Sequence, residues 1–307
     1  MQDNIVEVLD VGKNIRDVSV LENVSLTVKQ GECTGIIGEN GSGKTTLLRL
    51  MTGLVARTTG KIKLFGHDPS QDPISALASV RSLIGIPAYY PHITAFDNMR
   101  LFSTSEGENG SDRIMAALEE VGLHEEKDKK VGVFSRGMLQ RLGIAFTLIE
   151  NPLLYIFDEP TQGVDEVWIE KLKEIIASRQ KTGKTFIITS HNFDFISSLC
   201  ETVLILDQGK SLYKGELKKV AEFPYYFLLR GTPEQTILDT VNNLEYVHKI
   251  LSTGGGFELT MRKEYSSDLI KLLVEKGCRI DEHAFIRYST SDLVQHLLDK
   301  SKSPVYS

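Results

Sequence analysis

From residue 38 to residue 46 the chain reads Gly38-Glu39-Asn40-Gly41-Ser42-Gly43-Lys44-Thr45-Thr46. Three spaced glycines followed at once by a lysine and two hydroxyls form the G-x-x-x-x-G-K-T phosphate-binding loop. Gly38, Gly41 and Gly43 let the backbone turn tightly and approach a phosphate, at φ values a Cβ resists. The N–H groups of the loop then converge on phosphate oxygens, with a helix N-terminus behind them. Lys44 is placed to reach the β- and γ-phosphates, and Thr45 offers a hydroxyl to Mg²⁺. A second group lies further along, where Leu153-Leu154-Tyr155-Ile156-Phe157 runs into Asp158-Glu159. An Asp at the end of a buried strand can support the Mg²⁺ shell, and the Glu beside it can polarise a water. A third lies at Ser190-His191, again where an apolar run stops.

These residues need rigid carriers, and the pattern supplies them. Glu32 to Ile37 is a short, mostly apolar run before the loop, as expected of a buried strand, and Thr45 to Met51 reads as a helix stopped by Gly53. Ser135 to Leu148 carries a strong helical stripe ending at Asn151-Pro152. Glu166 to Gln180 is an amphipathic helix closed by Thr182-Gly183, and Lys184 to Thr189 is a further buried strand. Strands alternating with helices predict an α/β domain with a mainly parallel sheet, which binds ligands at the carboxyl ends of its strands. The phosphate loop, Asp158-Glu159 and His191 all fall at such ends.

Around this core the reading predicts an antiparallel β region from Ile5 to Val11 (ended by Gly12), Val18 to Val28 and Lys61 to Phe65. Helices are expected over Thr94 to Ser103 and Ser111 to Val121, with a polar loop from Ser105 to Ser111. Val203 to Leu206 and Lys210 to Tyr213 read as a hairpin. From about Ala221 a β-α-β-β-α-β-α order, with its last helix at Ser291 to Lys300, predicts a small α+β domain of ferredoxin-like type.

With 307 residues, 41% hydrophobic and 25% charged, the chain has the composition of a folded protein of one large or two ordinary domains. A net charge of −6 argues against nucleic acid as the main partner. No apolar run reaches the ~18 residues a membrane helix needs, and Met1 to Asn4 lacks the features of a signal peptide. Membrane contact is therefore expected through a partner. The three cysteines, Cys33, Cys200 and Cys278, are far apart in sequence and read as unpaired thiols in a reducing compartment. The seven histidines contain no H-x-x-x-H pair, and no metal site built from protein side chains alone is expected.

Taken together, the phosphate loop, Ser135-Arg136-Gly137-Met138-Leu139-Gln140-Arg141, the run Leu154 to Asp165, and Ser190-His191 resemble the ATP-binding subunits of ABC transporters over roughly residues 4 to 218. The usual LSGGQ signature stands as Phe134-Ser135-Arg136-Gly137-Met138. That form, with Pro87-Ala88-Tyr89-Tyr90-Pro91 and the C-terminal extension, resembles bacitracin- and lantibiotic-type exporters and drug-resistance ATPases. The resemblance implies a P-loop NTPase core of ABC type with an antiparallel β subdomain and a helical subdomain at about 87–150. It sets domains at 1–220 and 221–307, and makes ATP and Mg²⁺ the ligands. By the same resemblance Gly38 to Thr46 bind nucleotide, Thr45 and Asp158 hold the metal, Glu159 is the general base and His191 is the switch histidine. Asp165 lies at a dimer interface, where Ser135 and Gly137 face the ATP of the opposite subunit. The subunit would pair with itself or a paralogue, and sit in the cytoplasm on the inner membrane face. It would energise a separate transmembrane permease through the segment from Ile86 to Phe102, which carries Tyr89, Tyr90, Phe96, Met99 and Phe102. Tyr89 and Tyr90, adjacent between Pro87 and Pro91, read as exposed anchors for the permease, whereas Phe96 and Phe102 read as packing of the helical subdomain.

Two positions depart from the family. Ile15 stands where an adenine-stacking aromatic is usual, and Gly85 stands where a loop glutamine is usual. Two other classes fit the motifs: a soluble single-module ABC ATPase, and a nucleotide-binding regulatory subunit with little turnover.

Overall fold

A computed structural model of the chain describes residues 4–16, 18–85, 88–103, 108–218, 226–253, 256–261 and 265–286. It divides into two compact units, with the change between Leu217 and Lys218. The first unit is built on a six-stranded sheet. Its strands are β3 (Cys33–Ile37), β5 (Val80–Leu83), β6 (Leu154–Asp158), β7 (Thr185–Ser190), β8 (Thr202–Asp207) and β9 (Lys210–Glu216), in the order β5-β6-β7-β3-β8-β9. All neighbours are parallel except β8 and β9, which form the antiparallel hairpin. Every residue of β3, β6 and β7 is buried, which is why their sequences run apolar without alternation.

Helix α1 (Lys44–Met51) leaves the phosphate loop and buries Leu47, Leu48, Leu50 and Met51 against that sheet and the antiparallel layer. This layer is a three-stranded sheet, with β1 (Asn4–Ile15) between β2 (Val18–Lys29) and β4 (Thr59–Leu64). Strand β1 runs on through Gly12 instead of stopping there. A Cβ at Gly12 would lie 2.5 Å from Thr59 Oγ1, so the glycine admits a closely packed neighbouring strand. Helix α2 (Pro73–Leu77), capped by Asp72, precedes β5, and neither element shows a clear pattern in sequence.

Three helices form a separate layer: α3 (Ala95–Phe102), α4 (Glu108–Glu120) and α5 (Arg136–Ile149). Residues 108–111, read above as loop, belong to α4; residues 104–107 lie outside the described set. The stripe Ile114, Ala117, Leu118 and Val121 is buried, and that spacing overrides the local polarity of the first turn. Helix α6 (Glu166–Gln180) precedes β7, and the short α7 (Phe193–Ser197) follows it. Gly35 on β3 lets α7 pack close, since a Cβ there would strike Ile196 Cγ2.

The second unit holds a four-stranded antiparallel sheet in the order β11-β12-β10-β13, from β10 (Tyr226–Thr232), β11 (Val247–Thr253), β12 (Gly256–Met261) and β13 (Arg279–Ile286). With α8 (Glu234–Val241) and α9 (Ser266–Glu275) it encloses its own core of Phe227, Leu229, Ile237, Phe257, Leu259, Leu269 and Leu273. The helix expected at 291–300 lies outside the described residues.

Candidate functional site

The loop from Gly38 to Gly43 joins β3 to α1 and meets two different demands on its glycines. Gly41 and Gly43 sit at φ 85° and 103°, where a side chain is strained. Gly38 is not in that region; a Cβ there would strike Leu206 O and Ser42 Oγ, so the requirement is space. Gly43 is also the N-cap of α1 and offers no side-chain cap, which leaves the first-turn N–H groups of the helix directed at the loop. Ser42 Oγ is buried without a hydrogen-bond partner. A cavity of about 250 Å³ opens here, lined by Val20, residues 39–46 and Glu159. Uncapped N–H groups, an orphaned hydroxyl and a lysine around one cavity fit a phosphate chain.

Lys44 is only 6% exposed, and its ammonium is held three ways. It donates to Gly38 O at 2.6 Å and to Glu39 O at 3.1 Å, and its Nζ lies 3.3 Å from Glu159 Oε1. The last contact is an ion pair without hydrogen-bond alignment, since Glu159 Oε1 has no hydrogen-bond donor. A buried cation needs such partners.

Asp158, the last residue of β6, is buried and accepts from two hydroxyls. Thr45 Oγ1 donates to Oδ2 at 2.8 Å, and Thr189 Oγ1 donates to Oδ1 at 2.7 Å. A threonine hydroxyl from the start of α1 facing a carboxylate from the end of β6 is a hard-oxygen donor pair, the kind Mg²⁺ takes. Thr189 also reaches the neighbouring residue, since its Oγ1 accepts from Glu159 N at 2.9 Å. The parallel register of β6 and β7 puts Asp158 beside Thr189. The sequence reading missed this residue, because its only signal was a hydroxyl two positions before His191.

Glu159 follows Asp158 with φ 47°, a left-handed backbone that a non-glycine residue adopts only at some strain. Its Oε2 lies 2.9 Å from His191 Nδ1 and accepts from His191 N at 3.3 Å. Gln140 of α5, also absent from the expected site, donates from Nε2 to Glu159 O at 3.4 Å. The carboxylate is thus held between Lys44 and His191 at the mouth of the cavity.

Ser135, Gly137 and Asp165 stand apart from this group, and none of them lines the cavity. Ser135 caps α5, accepting from Met138 N at 3.2 Å, and Asp165 caps α6, accepting from Trp168 N at 2.8 Å. The two loops touch: a Cβ on Gly137 would come within 3.2 Å of Gly163 O. Ile15 is 53% exposed at the end of β1, and the apolar residue that does line the cavity is Val20. Gly85 takes φ 71° after β5.

Comparison with known proteins agrees with this geometry. Residues 21–162 match the ABC transporter family. The lantibiotic transport ATP-binding protein SrtF of Streptococcus pyogenes is 35% identical over 212 residues, which are 69% of this chain and 91% of that protein. The chain belongs to the ABC transporter family. The bacitracin transport ATP-binding protein BcrA of Bacillus licheniformis is 36% identical over 209 residues, 68% of each chain. YhcH of Bacillus subtilis, an ABC transporter ATP-binding protein, is 29% identical over 98% of both chains, C-terminal unit included. Among solved structures, an ATP-binding subunit of an ABC transporter superposes with a TM-score of 0.66 at 27% identity, over 71% of this chain and 92% of that one. This ABC protein is therefore an ATP-binding subunit and an ATPase, and its family implies a separate membrane permease. Among the described residues no helix is long and apolar enough to cross a membrane.

Proposed function

We propose that this ABC ATPase binds ATP with Mg²⁺ on the loop from Gly38 to Thr46, hydrolyses it with Glu159 as general base, and drives an exporter permease. The observation that carries the catalytic reading is the placement of Glu159 between Lys44 and His191. Lys44 needs an anionic partner and has Glu159 Oε1 at 3.3 Å. A γ-phosphate on Lys44 replaces that partner and frees the carboxylate to take a proton from an attacking water. His191 then keeps hold of Oε2 and orients the carboxylate. Thr45 and Asp158 would hold Mg²⁺, which would supply neutralisation of phosphate charge. Thr189 fixes both carboxylate residues through one hydroxyl, so the metal ligand and the base move together.

Ser135, Gly137 and Asp165 are the residues left over in one chain, and a second copy or a paralogue gives them a role. In a dimer the Ser135 loop would face the ATP held by the partner, with Asp165 at the interface. The exposed Val167 beside Asp165, 82% accessible, is consistent with a surface that is covered in such a dimer. Residues 1–220 would form the ATPase domain, with its helical subdomain at about 87–150. Residues 221–307 would form a ferredoxin-like domain, a reading supported by the strand order of the second unit. The subunit would lie in the cytoplasm against the inner membrane face.

Permease docking falls on the helical layer. Tyr89 is half-buried: its hydroxyl donates to Leu139 O at 2.6 Å, and its ring stacks on Phe146 with centroids 5.9 Å apart. Tyr90 is 55% exposed. Tyr89 and Phe146 line a cavity of about 270 Å³ with Arg81, Leu83, Ile149 and Glu150, an apolar hollow with charged rims suited to a permease segment. Ile86 and Pro87 lie outside the described residues, as does the side chain of Phe102, and Met99 is fully buried.

Titration of the purified chain with ATP and Mg²⁺ tests the nucleotide site. Saturable binding is expected for the native chain and a loss of at least tenfold in affinity for Lys44→Ala, because a hydrogen bond to a charged group contributes about 1.5–3 kcal/mol. Equal affinity in the two proteins would overturn the assignment.

A further inference from the structure

Two of the three cysteines meet in space despite their separation in sequence. Cys33 opens β3, the strand that delivers the phosphate loop, and Cys200 closes the segment that runs from His191 through α7 to β8. Their sulfurs lie 3.0 Å apart, both reduced and both buried. The parallel pairing of β3 with β8, with Thr34 beside Thr202, holds the two backbones in register for this approach. A disulfide needs a sulfur separation of about 2.05 Å, so closure asks for a movement of roughly 1 Å. Cys278 belongs to the other unit.

We propose that Cys33 and Cys200 form a reversible disulfide under a hydroperoxide, tethering the segment after His191 to the strand that carries the phosphate loop. Cys200 is the sulfur that meets the oxidant. Ser197, Ser198 and Glu201 around it are exposed, so a small opening of this short segment uncovers it, whereas Cys33 continues into the wholly buried β3. Burial and the nearby Cys200 raise the Cys33 thiol well above the ordinary range, so Cys33 stays protonated and is a poor first nucleophile. The Cys200 thiolate attacks one peroxide oxygen and breaks the O–O bond. It becomes a sulfenic acid, and the departing hydroxide leaves as water with the thiol's former proton. The Cys33 sulfur then attacks the sulfenic sulfur and expels hydroxide, which takes the Cys33 proton and leaves as the second water. Two thiols and one peroxide give one disulfide and two waters, with two electrons passed from sulfur to oxygen.

The bond would close a loop spanning most of the ATPase unit, so it lowers the entropy of the unfolded chain by a large amount. It would be broken again by a dithiol. The tether involves none of Lys44, Asp158, Glu159 or His191.

The test treats the full chain with hydrogen peroxide at about neutral pH, blocks remaining thiols with iodoacetamide and maps peptides without reduction. The expected result is one cross-linked pair of peptides containing Cys33 and Cys200, lost on addition of dithiothreitol. Cys278 is expected as the alkylated thiol. Thermal melting of the same samples should show an upward shift on the order of 5–10 °C that dithiothreitol reverses. Cys278→Ser should keep both effects, and Cys200→Ser should lose both. Absence of the cross-linked pair from the native chain, with Cys33 and Cys200 alkylated or carried on to sulfinic acids, would overturn the proposal. So would a cross-link that leaves the melting temperature unchanged. The native-chain mapping needs no variant to fold, so the outcome does not depend on tolerance of a substitution.

Discussion

Thr189→Val is the substitution that most directly measures how the site is held. The replacement keeps the branched shape and removes one hydroxyl, which in a buried site is not a neutral exchange. That hydroxyl donates to Asp158 Oδ1 at 2.7 Å and accepts from Glu159 N at 2.9 Å. Loss of a hydrogen bond to a buried carboxylate costs about 1.5–3 kcal/mol. The amide of Glu159 retains a weaker bond to Thr189 O at 3.2 Å, so its contribution to the loss is smaller. A total near 2–3 kcal/mol corresponds to a fall in Tm of roughly 4–12 °C for a unit of this size. The catalytic loss should be larger than the binding loss. Asp158 keeps Thr45 at 2.8 Å, whereas Glu159 loses the anchor of a strained backbone. Steady-state hydrolysis at saturating ATP should fall at least tenfold, with ATP affinity changed only a few-fold, measured beside a thermal melt. A variant with native Tm and native turnover would refute the view that Thr189 holds the Asp158 carboxylate and the Glu159 backbone.

Three further outcomes follow from other contacts. Asp68 is held by a two-pronged contact from Arg57, with bonds of 3.0 and 2.6 Å, which keeps its carboxyl below the usual range. Its stabilisation is present above the unfolded carboxylate pKa of about 3.9 and is lost as pH falls below it. Asp68→Asn should therefore lower stability at pH 7 by at most about 1 kcal/mol, since the pair is partly solvated, and flatten the loss below pH 4 in acid melts. Tyr89→Ala with Tyr90→Ala should weaken co-purification with the permease while the isolated subunit still binds ATP; full co-purification would remove this surface from docking. Competition between ATP and GTP should show little discrimination, because one stacking contact supplies roughly 0.5–1.5 kcal/mol and Ile15 offers none.

What could be read from sequence was the chemistry that sits in consecutive residues. The phosphate loop, Asp158-Glu159 and Ser190-His191 were each visible because a strand end and its candidate site residues are contiguous. Thr189 and Gln140 were not, since their roles depend on the register of β6 against β7 and on how α5 approaches Glu159. The cysteines show the same limit, because only the pairing of β3 with β8 brings Cys33 to Cys200. Gly12 read as a strand end because glycine punctuates most strands, yet here it admits a close neighbour across the sheet. The polar start of α4 read as loop because a buried stripe several residues later decided its state. Tyr89 between two prolines read as an exposed anchor, and the structure instead gives its hydroxyl a backbone acceptor and its ring a partner.

The central claim is that Glu159, between Lys44 and His191, is the base that activates water for ATP hydrolysis. Its direct test is Glu159→Gln, assayed for ATP binding and for steady-state phosphate release on the same preparation. The account predicts binding within a few-fold of the native chain, hydrolysis lower by about 10² or more, and a dimer that persists in ATP and Mg²⁺. Hydrolysis at the native rate with binding intact would contradict it.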